Sequence, residues 1–468
     1  MSIEELSNVE ITSVSKRPER LGDAAASVFV ISNDDIRRTG VQTIAEALRL
    51  APNLNVQRVD ALDYGISARG LNGFESSNKL LVLIDGRSVY SPFFSGVEWS
   101  QLHPDLPDID RIEVVSGPGG TLWGANAVNG VINIVSRPAD LTQGLAAQGA
   151  AGDGYYFYTV RYGGKVGDHG AYRVYARAFD RADTLRNGVD AGDGWRGRQA
   201  GFRTDFNWDD DRLTLQGDAY VDRVPSLIPG ARGKLVGENV LGRWNHSFSD
   251  RSELEVQAYF DRYERIARGI LDGVVTYDVQ AQQRLATGPH KIVFGAGYRR
   301  WSDRFANFVN GFVLDPPRDR FSIANAFVQD QVTLGNVTLT AGVKVEHSTL
   351  GGTEWLPNGR IAVQVADNAM VWGAVSRAVR NPSRLDRDLV FPPFLLRSDF
   401  QAERLTAYEL GYRGRPTSRI SVSATVFYHD YRGIRSNETT PVTVFPIRIG
   451  NGLEGETWGV EAWGDFDV

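Results

Sequence analysis

The sequence has no cysteine, only six histidines and no long hydrophobic run. The absence of cysteine excludes disulfides and thiolate metal sites. The histidines are scattered singly, without the spacing of metal ligands on a helix, so no metal site is predicted. No stretch of about eighteen apolar residues occurs, so no membrane-spanning helix is predicted. The first residues, MSIEELSNVEITS, lack a basic end followed by an apolar stretch, and we expect that any targeting signal has been removed.

Charge is also limited, with a formal net charge of -6 over 468 residues. This weakly acidic balance argues against a dedicated nucleic-acid binder. Glycine and aromatic residues, in contrast, are abundant: 50 glycines, 10 tryptophans, 17 tyrosines and 22 phenylalanines. A turn-rich, aromatic-rich composition of this kind is typical of a mainly β protein.

The pattern along the chain changes near residues 137–141. Before this point, short apolar strands alternate with helical segments, which indicates a compact α+β domain. A helix is predicted to begin with Asn33 or Asp34 as its cap and to break at Gly40, and a second helical segment ends at Pro52. The segment KLLVLIDGRSVY predicts a hairpin that turns at Asp85-Gly86.

After residue 141 the strands alternate in polarity. In NVTLTAGVKVEH, the apolar face includes Leu339 and Val343, whereas the other face includes Lys344 and Glu346. We count roughly sixteen such segments, most of about ten residues, a length that suits tilted strands crossing a bilayer. A soluble β-sandwich also alternates polar and apolar residues, so single strands do not separate the two folds.

The connections between these segments favour a barrel over a sandwich. Short turns such as GDHG, SDRS and RPTS are expected to alternate strictly with long loops such as residues 303–319 and 381–403. One short-looped rim and one elaborate rim are typical of an outer-membrane barrel.

A glycine-rich segment, SGPGGTLWGANAVNGVINIVS, follows the predicted strand IDRIEVV. It lacks the lysine of a phosphate-binding loop, and Leu122 stands where a dinucleotide fingerprint needs its third glycine. No G-x-S-x-G elbow occurs, and no spacing singles out an acid-base pair. The sequence therefore predicts no catalytic site and no cofactor. The glycines, Gly117, Gly119, Gly120, Gly124 and Gly130, suit sharp turns and close backbone approach, and we interpret Trp123 as a packing residue.

The same segment, as IDRIEVVSGPGGTLWGANAVNGVINIVSRP, resembles the plug of TonB-dependent outer-membrane receptors. YGISARGLNG and KLLVLIDGRSVYSPFFSGVEW resemble two further plug segments, and LTAYELGYRG and TWGVEAWGDF resemble barrel strands of this family. The resemblance implies a mainly β fold, with an α+β plug inside a large antiparallel transmembrane β-barrel. It divides the chain into an N-terminal segment (1–20), a plug (21–139) and a partial barrel (140–468). Because the family barrel has about 22 strands, we expect the last strands to lie outside this sequence.

The resemblance implies energised uptake of a scarce, bulky solute across the bacterial outer membrane, in contact with membrane lipid and without nucleic acid. A ferric siderophore is the first expectation, with cobalamin or haem as alternatives. A passive porin or a surface adhesin barrel is the alternative of a different class, but a porin lacks a folded plug. The expected periplasmic partner is the C-terminal domain of TonB, which pairs with a short strand ahead of the plug. The candidate TonB box is Val9, Glu10, Ile11, Thr12, Ser13 and Val14, although an ordinary extended tail explains this stretch equally well.

Solute contacts in this family come from plug apices and external loops. The candidates are Phe74, Glu75, Phe93 and Phe94 at two apices, and Arg380, Arg384 and Arg397 in a long loop. Aromatic rings suit catecholate or macrocyclic ligands, and arginines attract an anionic chelate. The equally weighted alternative is that the phenylalanines pack beneath the barrel loops.

The family also implies a latch in which two plug arginines face two barrel glutamates. By motif, the glutamates are Glu409 and Glu461, and one arginine is Arg69. Ser116 occupies the expected position of the second arginine, and Arg111 is the alternative source of that charge. We expect a hydrated site in which one cation faces two carboxylates, and a plug that is released more easily than is usual in the family.

Overall fold

The computed structural model describes residues 8–71, 73, 77–152, 154–226, 232–309, 311–439 and 444–466. It confirms a mainly β chain with an N-terminal α+β part and a large C-terminal sheet. We call the N-terminal part the plug and the large sheet the barrel sheet. None of the helices in the described ranges is long and apolar enough to span a bilayer.

The plug is built on a five-stranded sheet of order β3-β10-β11-β6-β7, in which only the β11–β6 pair is parallel. Its apolar core lies between this sheet and the helices, around residues such as Ile44, Leu48, Ile112 and Ile132. The strands are β1 (Glu10–Ile11), β2 (Glu19–Arg20), β3 (Ser27–Ser32), β4 (Asn55–Arg58), β5 (Tyr64–Ser67), β6 (Leu80–Ile84), β7 (Arg87–Ser88), β8 (Tyr90–Ser91), β9 (Gly96–Val97), β10 (Ile109–Ser116) and β11 (Gly130–Ser136). The helices are α1 (Asn33–Thr39), α2 (Ile44–Ala47) and α3 (Gly120–Trp123), with 3-10 turns at Leu21–Asp23, Leu48–Leu50, Trp99–Gln101, Leu106–Asp108 and Ala139–Thr142.

Local sequence signals explain the ends of these elements. The cap of helix α1 is Ser32, one residue before Asn33 and two before Asp34, the predicted alternatives, because Ser32 forms a reciprocal capping box with Asp35. The helix ends at Gly40, whose φ of 65° is the left-handed conformation that closes a helix. The predicted hairpin turn is confirmed, since Asp85 and Gly86 both have positive φ between β6 and β7.

The glycine-rich segment returns the chain from β10 to β11 against the wall of the barrel sheet. Gly117 has a φ of 96°, and a Cβ built there would lie 2.5 Å from Glu409 Oε1 of the barrel sheet. At Gly130 a Cβ would lie 2.4 Å from the carbonyl oxygen of Val115. Both positions therefore need glycine. Position 117 needs it for the positive φ and for space, and position 130 needs it for space alone.

The barrel sheet contains sixteen antiparallel strands joined in chain order, as counted from the sequence. With the short loop strands included, the strands of this part are β12 (Gly144–Gly152), β13 (Tyr155–Val166), β14 (Gly170–Arg181), β15 (Leu185–Arg186), β16 (Val189–Asp190), β17 (Trp195–Asn207), β18 (Asp211–Val224), β19 (Gly233–Ser249), β20 (Ser252–Ala267), β21 (Ile270–Thr287), β22 (His290–Asn307), β23 (Val313–Leu314), β24 (Arg320–Leu334), β25 (Val337–Ser348), β26 (Gly352–Ala366), β27 (Ala369–Arg380), β28 (Leu389–Val390), β29 (Glu403–Thr417), β30 (Ile420–Thr439) and β31 (Ile447–Phe466). A short helix, α4 (Arg384–Arg387), lies between β27 and β29. Within the described ranges the end strands β12 and β31 are not paired with each other, so the sheet is not closed.

Side-chain exposure along β25 separates a barrel from a sandwich. The apolar face points outward, and Leu339 is 43% exposed. Lys344 and Glu346, on the opposite face, lie against the plug and are only 3% and 5% exposed. A sandwich would bury the apolar face and expose the polar one. Apolar residues outside and polar residues inside are the arrangement of an outer-membrane barrel.

Two expectations about the barrel sheet were wrong in detail. Most strands have 12 to 20 residues rather than about ten, as in Tyr155–Val166 and Ile420–Thr439, because the ladders continue beyond the length needed to cross a bilayer. The loops on the elaborate rim are not all long, since residues 268–269 and 349–351 alone connect β20 to β21 and β25 to β26. Longer connections on the same rim include residues 182–194, 308–319 and 381–402.

Candidate functional site

The candidate TonB box lies folded against the plug. Glu10 and Ile11 form β1, which pairs antiparallel with β2. The side chain of Ile11 is fully buried in a second plug core that includes Val28, Leu81 and Val131. An extended tail free in solution would not bury an isoleucine, so this segment has a defined docked position.

Two plug side chains hold the rest of this segment. A carboxylate oxygen of Glu113 accepts hydrogen bonds from the backbone amides of Thr12 and Ser13, at 3.1 and 3.0 Å, and from the Ser13 hydroxyl. The indole Nε1 of Trp123 donates to the Ser13 carbonyl at 2.8 Å. Glu113 was not recognised from the sequence, because its partners are mostly backbone groups that leave no residue pattern.

Arg111 pairs with the carboxylates of its own strand. Its guanidinium lies 2.8 Å from Glu113 and 2.7 Å from Asp110. It therefore positions the Glu113 carboxylate beneath the N-terminal segment. Arg111 lies away from Glu409 and Glu461 because side chains alternate along β10, so that Arg111 and Ser116 face opposite sides of the sheet.

Arg69 and the two glutamates meet as the latch prediction requires. Arg69 Nη1 lies 2.6 Å from Glu409 Oε1, and Arg69 Nη2 lies 3.0 Å from Glu461 Oε2. Arg69 Nε adds a third hydrogen bond, to Glu461 Oε1 at 3.1 Å. Burial lowers the pKa of Arg69, but the carboxylates of Glu409 and Glu461 outweigh burial and raise it above its usual value. One guanidinium therefore serves two carboxylates.

The latch is drier than expected. The side chain of Arg69 is 0% exposed, and those of Glu409 and Glu461 are 5% and 12% exposed. The guanidinium also lies over the ring of Phe427, with 4.5 Å between the guanidinium carbon and the ring centroid, and donates to His429 Nε2 at 3.3 Å. The expectation of a hydrated site is thus corrected, because the plug backbone around Gly117 and the barrel wall close over the ion pairs.

The position of the missing arginine is filled by a small hydrogen-bonded side chain. Ser116 accepts a hydrogen bond from Asn53 Nδ2 at 2.9 Å. It stands opposite Ser27 in the ladder, and the Ser27 hydroxyl donates to Glu461 Oε2 at 2.9 Å. Because directly opposed residues share a face of a sheet, a longer side chain at position 116 would point towards Glu461.

The second plug apex is packed beneath an external loop. Phe93 is buried, and its ring stacks on Phe305 of the barrel sheet with centroids 5.5 Å apart. Phe94 is half-buried beside it. The backbone amides of Arg384 and Leu385 donate to the carbonyls of Pro92 and Phe93, at 3.1 and 3.0 Å. The other apex candidates, Phe74 and Glu75, lie outside the described residues.

Two of the loop arginines are enclosed in ion pairs. Arg380 is fully buried between Asp386 at 2.7 Å and Glu403 at 2.8 Å, and its Nη1 donates to the Ser95 hydroxyl at 2.8 Å. Arg384 is fully buried among the carboxylates of Asp303, Asp319 and Asp388, at 3.4, 3.2 and 2.9 Å. In this arrangement both arginines tie the loop to the plug and barrel. Neither points towards the external solvent.

Arg397 is placed differently from the other two. Its side chain is 53% exposed and pairs with Asp388 at 2.9 Å. Near it in sequence, Phe391 and Phe394 are also exposed, and their ring centroids are 5.5 Å apart. Phe394 meets Phe445 of the next long loop at 5.3 Å. We call Phe391, Phe394 and Phe445 the external aromatic trio. None of the three was recognised from the sequence, although the FPPF stretch in the long loop could have indicated two of them.

Arg413 of β29 binds the plug in a way that the sequence did not predict. Its guanidinium donates to four plug carbonyls, those of Leu21, Ala24, Ala26 and Val28, at 2.5 to 3.3 Å. Two of these carbonyls are on or beside β3, an edge strand of the plug sheet. A guanidinium is suited to this contact because it presents several donors in a fixed plane.

Comparison with known proteins identifies both parts of the chain. The family model described as the TonB-dependent Receptor Plug Domain matches residues 20–131, and the model described as TonB dependent receptor-like, beta-barrel, matches residues 137–468. An iron-regulated outer membrane virulence protein of Vibrio cholerae is 26% identical, over 94% of this chain and 72% of its own length. The vitamin B12 transporter BtuB of Vibrio vulnificus is 29% identical, but over 30% of this chain and 23% of its own length.

Solved structures show the same fold at low identity. The siderophore receptor PirA from Pseudomonas aeruginosa has a TM-score of 0.70 and 19% identity, and the match covers 93% of this chain and 80% of PirA. The ferric enterobactin receptor PfeA of the same organism, in complex with enterobactin, has a TM-score of 0.73 and 15% identity, with 94% and 78% covered. These comparisons establish a shared architecture of plug and barrel.

Proposed function

The chain belongs to the TonB-dependent receptor family of the bacterial outer membrane, and from this premise we propose that it carries out energised uptake of a scarce, bulky metal chelate. Proteins of this family are receptors and transporters rather than enzymes. The observation that carries the proposal is the docked N-terminal segment, which joins the candidate TonB box directly to a plug held inside the barrel sheet. A passive pore does not require such a connection.

Energy enters the outer membrane mechanically in this proposal. The C-terminal domain of TonB adds a strand to residues 9–14 and pulls, and the backbone hydrogen bonds of the added strand bear the load. Because β1 is paired with β2, strand addition requires this segment to leave its docked position. The force then passes along the chain to the contacts of Arg413 and Arg69.

A ferric siderophore is the solute that we favour. The iron-regulated relative aligns over most of this chain, whereas the vitamin B12 transporter aligns over 30% of it. Cobalamin remains the second candidate because that shorter match has the higher identity, 29%. No observation among the described residues favours haem.

We assign the first contact with the solute to the external aromatic trio together with Arg397. These rings are exposed on two loops of the elaborate rim, and an exposed aromatic cluster is costly unless it meets a ligand. A catecholate or a macrocycle presents flat faces to such rings. The negative charge of a catecholate also suits the half-exposed guanidinium of Arg397. Contact with Phe93 and Phe94 would follow once the loop of residues 381–402 moves, because this loop covers their apex.

The test is a binding panel on the full chain in detergent, with a ferric catecholate, a ferric hydroxamate, haem and cyanocobalamin. We expect saturable binding of a ferric siderophore. The double variant Phe391→Ala, Phe394→Ala should bind it about tenfold more weakly, as expected for aromatic anchors. Phe308→Ala is the matched control, since Phe308 is exposed on a neighbouring loop. Preferential cobalamin binding would overturn the siderophore assignment, and no binding by any of the four would contradict the uptake proposal.

A further inference from the structure

Two buried ammonium groups face one cavity between the plug and the barrel sheet. Lys16 follows the candidate TonB box, and Lys344 is on β25 of the barrel wall. Their side chains approach the same ring, since the Nζ atoms of Lys16 and Lys344 lie 4.8 and 5.1 Å from the ring centroid of Phe327. Lys16 is 8% exposed and Lys344 is 3% exposed.

No carboxylate lies within ion-pair distance of either ammonium among the described residues, and two of the three neighbouring carboxylates pair with arginines. Glu255 pairs with Arg284 at 3.0 Å, and Asp278 pairs with Arg299 at 2.7 Å. The barrel carboxylate nearest to Lys344 in sequence, Glu346, accepts hydrogen bonds from the Ala125 amide at 3.3 Å and from Asn381 Nδ2 at 3.1 Å. The contacts that remain to Lys16 Nζ are two aromatic faces, and Lys344 Nζ donates to Asn325 Oδ1 at 3.3 Å. A buried charge without a counter-charge is unfavourable.

Space for a counter-ion is present beside both lysines. A cavity of about 70 Å³ is lined by the cations of Lys16, Lys344 and Arg299 and by the carboxylates of Asp278 and Glu346, so cations outnumber carboxylates in its wall. It adjoins a second cavity of about 200 Å³ that shares Lys16, Trp123 and Asn325 and is also lined by Arg284. These volumes exceed the space of a single water molecule and accommodate a tetrahedral or planar oxyanion.

We propose that the cavity between Lys16 and Lys344 is a binding site for a small free oxyanion, such as sulfate, phosphate or a simple carboxylate. The anion gives both ammonium groups a partner at ion-pair distance, and it bridges the N-terminal segment to the barrel wall. Extension of the segment removes Lys16, so the site exists only while the segment is docked. The barrel sheet holds Lys16 in this position, since its carbonyl accepts a hydrogen bond from Arg284 Nε at 2.8 Å.

Protonation of Lys16 controls this site. Burial, followed by the neighbouring charge of Lys344, lowers the pKa of Lys16 to about 7, against the opposing effect of the Glu255 and Asp278 carboxylates. The charged groups that face Lys16 are Lys344 of β25, Glu255 of β20, and Arg284 and Asp278 of β21. Anion binding should therefore be strong below pH 7 and should weaken as the ammonium loses its proton above pH 7.

The test is sulfate binding to the full chain in detergent, measured by calorimetry at pH 6 and pH 8, because sulfate keeps its charge over this range. We expect saturable binding at pH 6 that is about tenfold weaker at pH 8, which is the change in the protonated fraction of a group with a pKa of about 7. Lys16→Met and Lys344→Met should each reduce binding at pH 6 by about tenfold or more. The control Lys165→Met should leave it unchanged, because Lys165 is exposed near the end of its strand.

Absence of saturable sulfate binding at pH 6, or equal binding by the wild type and both methionine variants, would overturn the proposal. If a variant does not fold, hydrogen exchange of the wild-type chain decides the question. Sulfate at pH 6 should slow exchange of the amides of residues 9–16, because the anion ties this segment to the barrel wall. Unchanged exchange at saturating sulfate would also overturn it.

Discussion

Replacing Arg69 by alanine removes the cation that links the plug to two barrel strands. The substitution deletes three hydrogen bonds to Glu409 and Glu461 and leaves both carboxylates buried. Glu461 keeps the hydrogen bond that it accepts from the hydroxyl of Ser27. Truncating one partner of a buried ion pair costs about 3 to 5 kcal/mol. We use the lower end, because one of the two carboxylates can take up a proton, and about 3 kcal/mol corresponds to roughly a hundredfold change in a rate.

The assay is extraction of the plug by pulling on its N-terminus, one molecule at a time, with the full chain in a lipid bilayer. Arg69→Ala should release the plug roughly a hundredfold faster at constant force than the wild type. Arg38→Ala is the matched control, because its side chain is 76% exposed and forms only a local pair on helix α1. Ser116→Arg should slow release, since it adds a second guanidinium on the face that meets Glu461. Equal release rates for the wild type and Arg69→Ala would show that Arg69 does not latch the plug. An unchanged rate in Ser116→Arg would show that a cation at position 116 does not reach Glu461.

Three further outcomes are expected. Val14→Pro should abolish energised uptake while solute binding persists, because proline removes a backbone donor needed for strand addition; normal uptake would place the TonB box elsewhere. If Phe93 and Phe94 contact the solute, the double alanine variant should weaken binding by about 1 to 4 kcal/mol, whereas unchanged affinity with a protease-sensitive apex would support the packing alternative. Without added sulfate, the free energy that favours docking of residues 9–16 should increase as pH rises from about 7 to 10, by up to about 1.4 kcal/mol per pH unit. The reason is that docking lowers the pKa of Lys16, so over this range the docked state binds fewer protons than the extended state. Hydrogen exchange measures this slope, which Lys16→Met should abolish.

The sequence was most informative where a backbone constraint selects the residue. Gly117 and Gly130 stand where positive φ or close packing admits no side chain, and this is why the glycine-rich segment could be interpreted as structure rather than catalysis. Alternating polarity predicted the sixteen strands, since one face of each strand meets membrane lipid and the other meets the plug.

The sequence was least informative where the partner is a backbone group or a distant loop. The four carbonyls bound by Arg413 belong to residues whose side chains have no role in the contact. The burial of Arg380 and Arg384 depends on where the loop of residues 381–402 settles over the plug apex, and loop composition does not determine that position. Loop lengths were overestimated because the ladders of long strands extend into segments rich in turn-forming residues.

The most direct test of energised uptake is accumulation of the preferred chelate, labelled with radioactive metal, in cells that carry the full receptor with either active or inactivated TonB. We expect surface binding in both strains and accumulation inside the cell only when TonB is active. Equal accumulation in the two strains would contradict this expectation and would identify the protein as a passive pore.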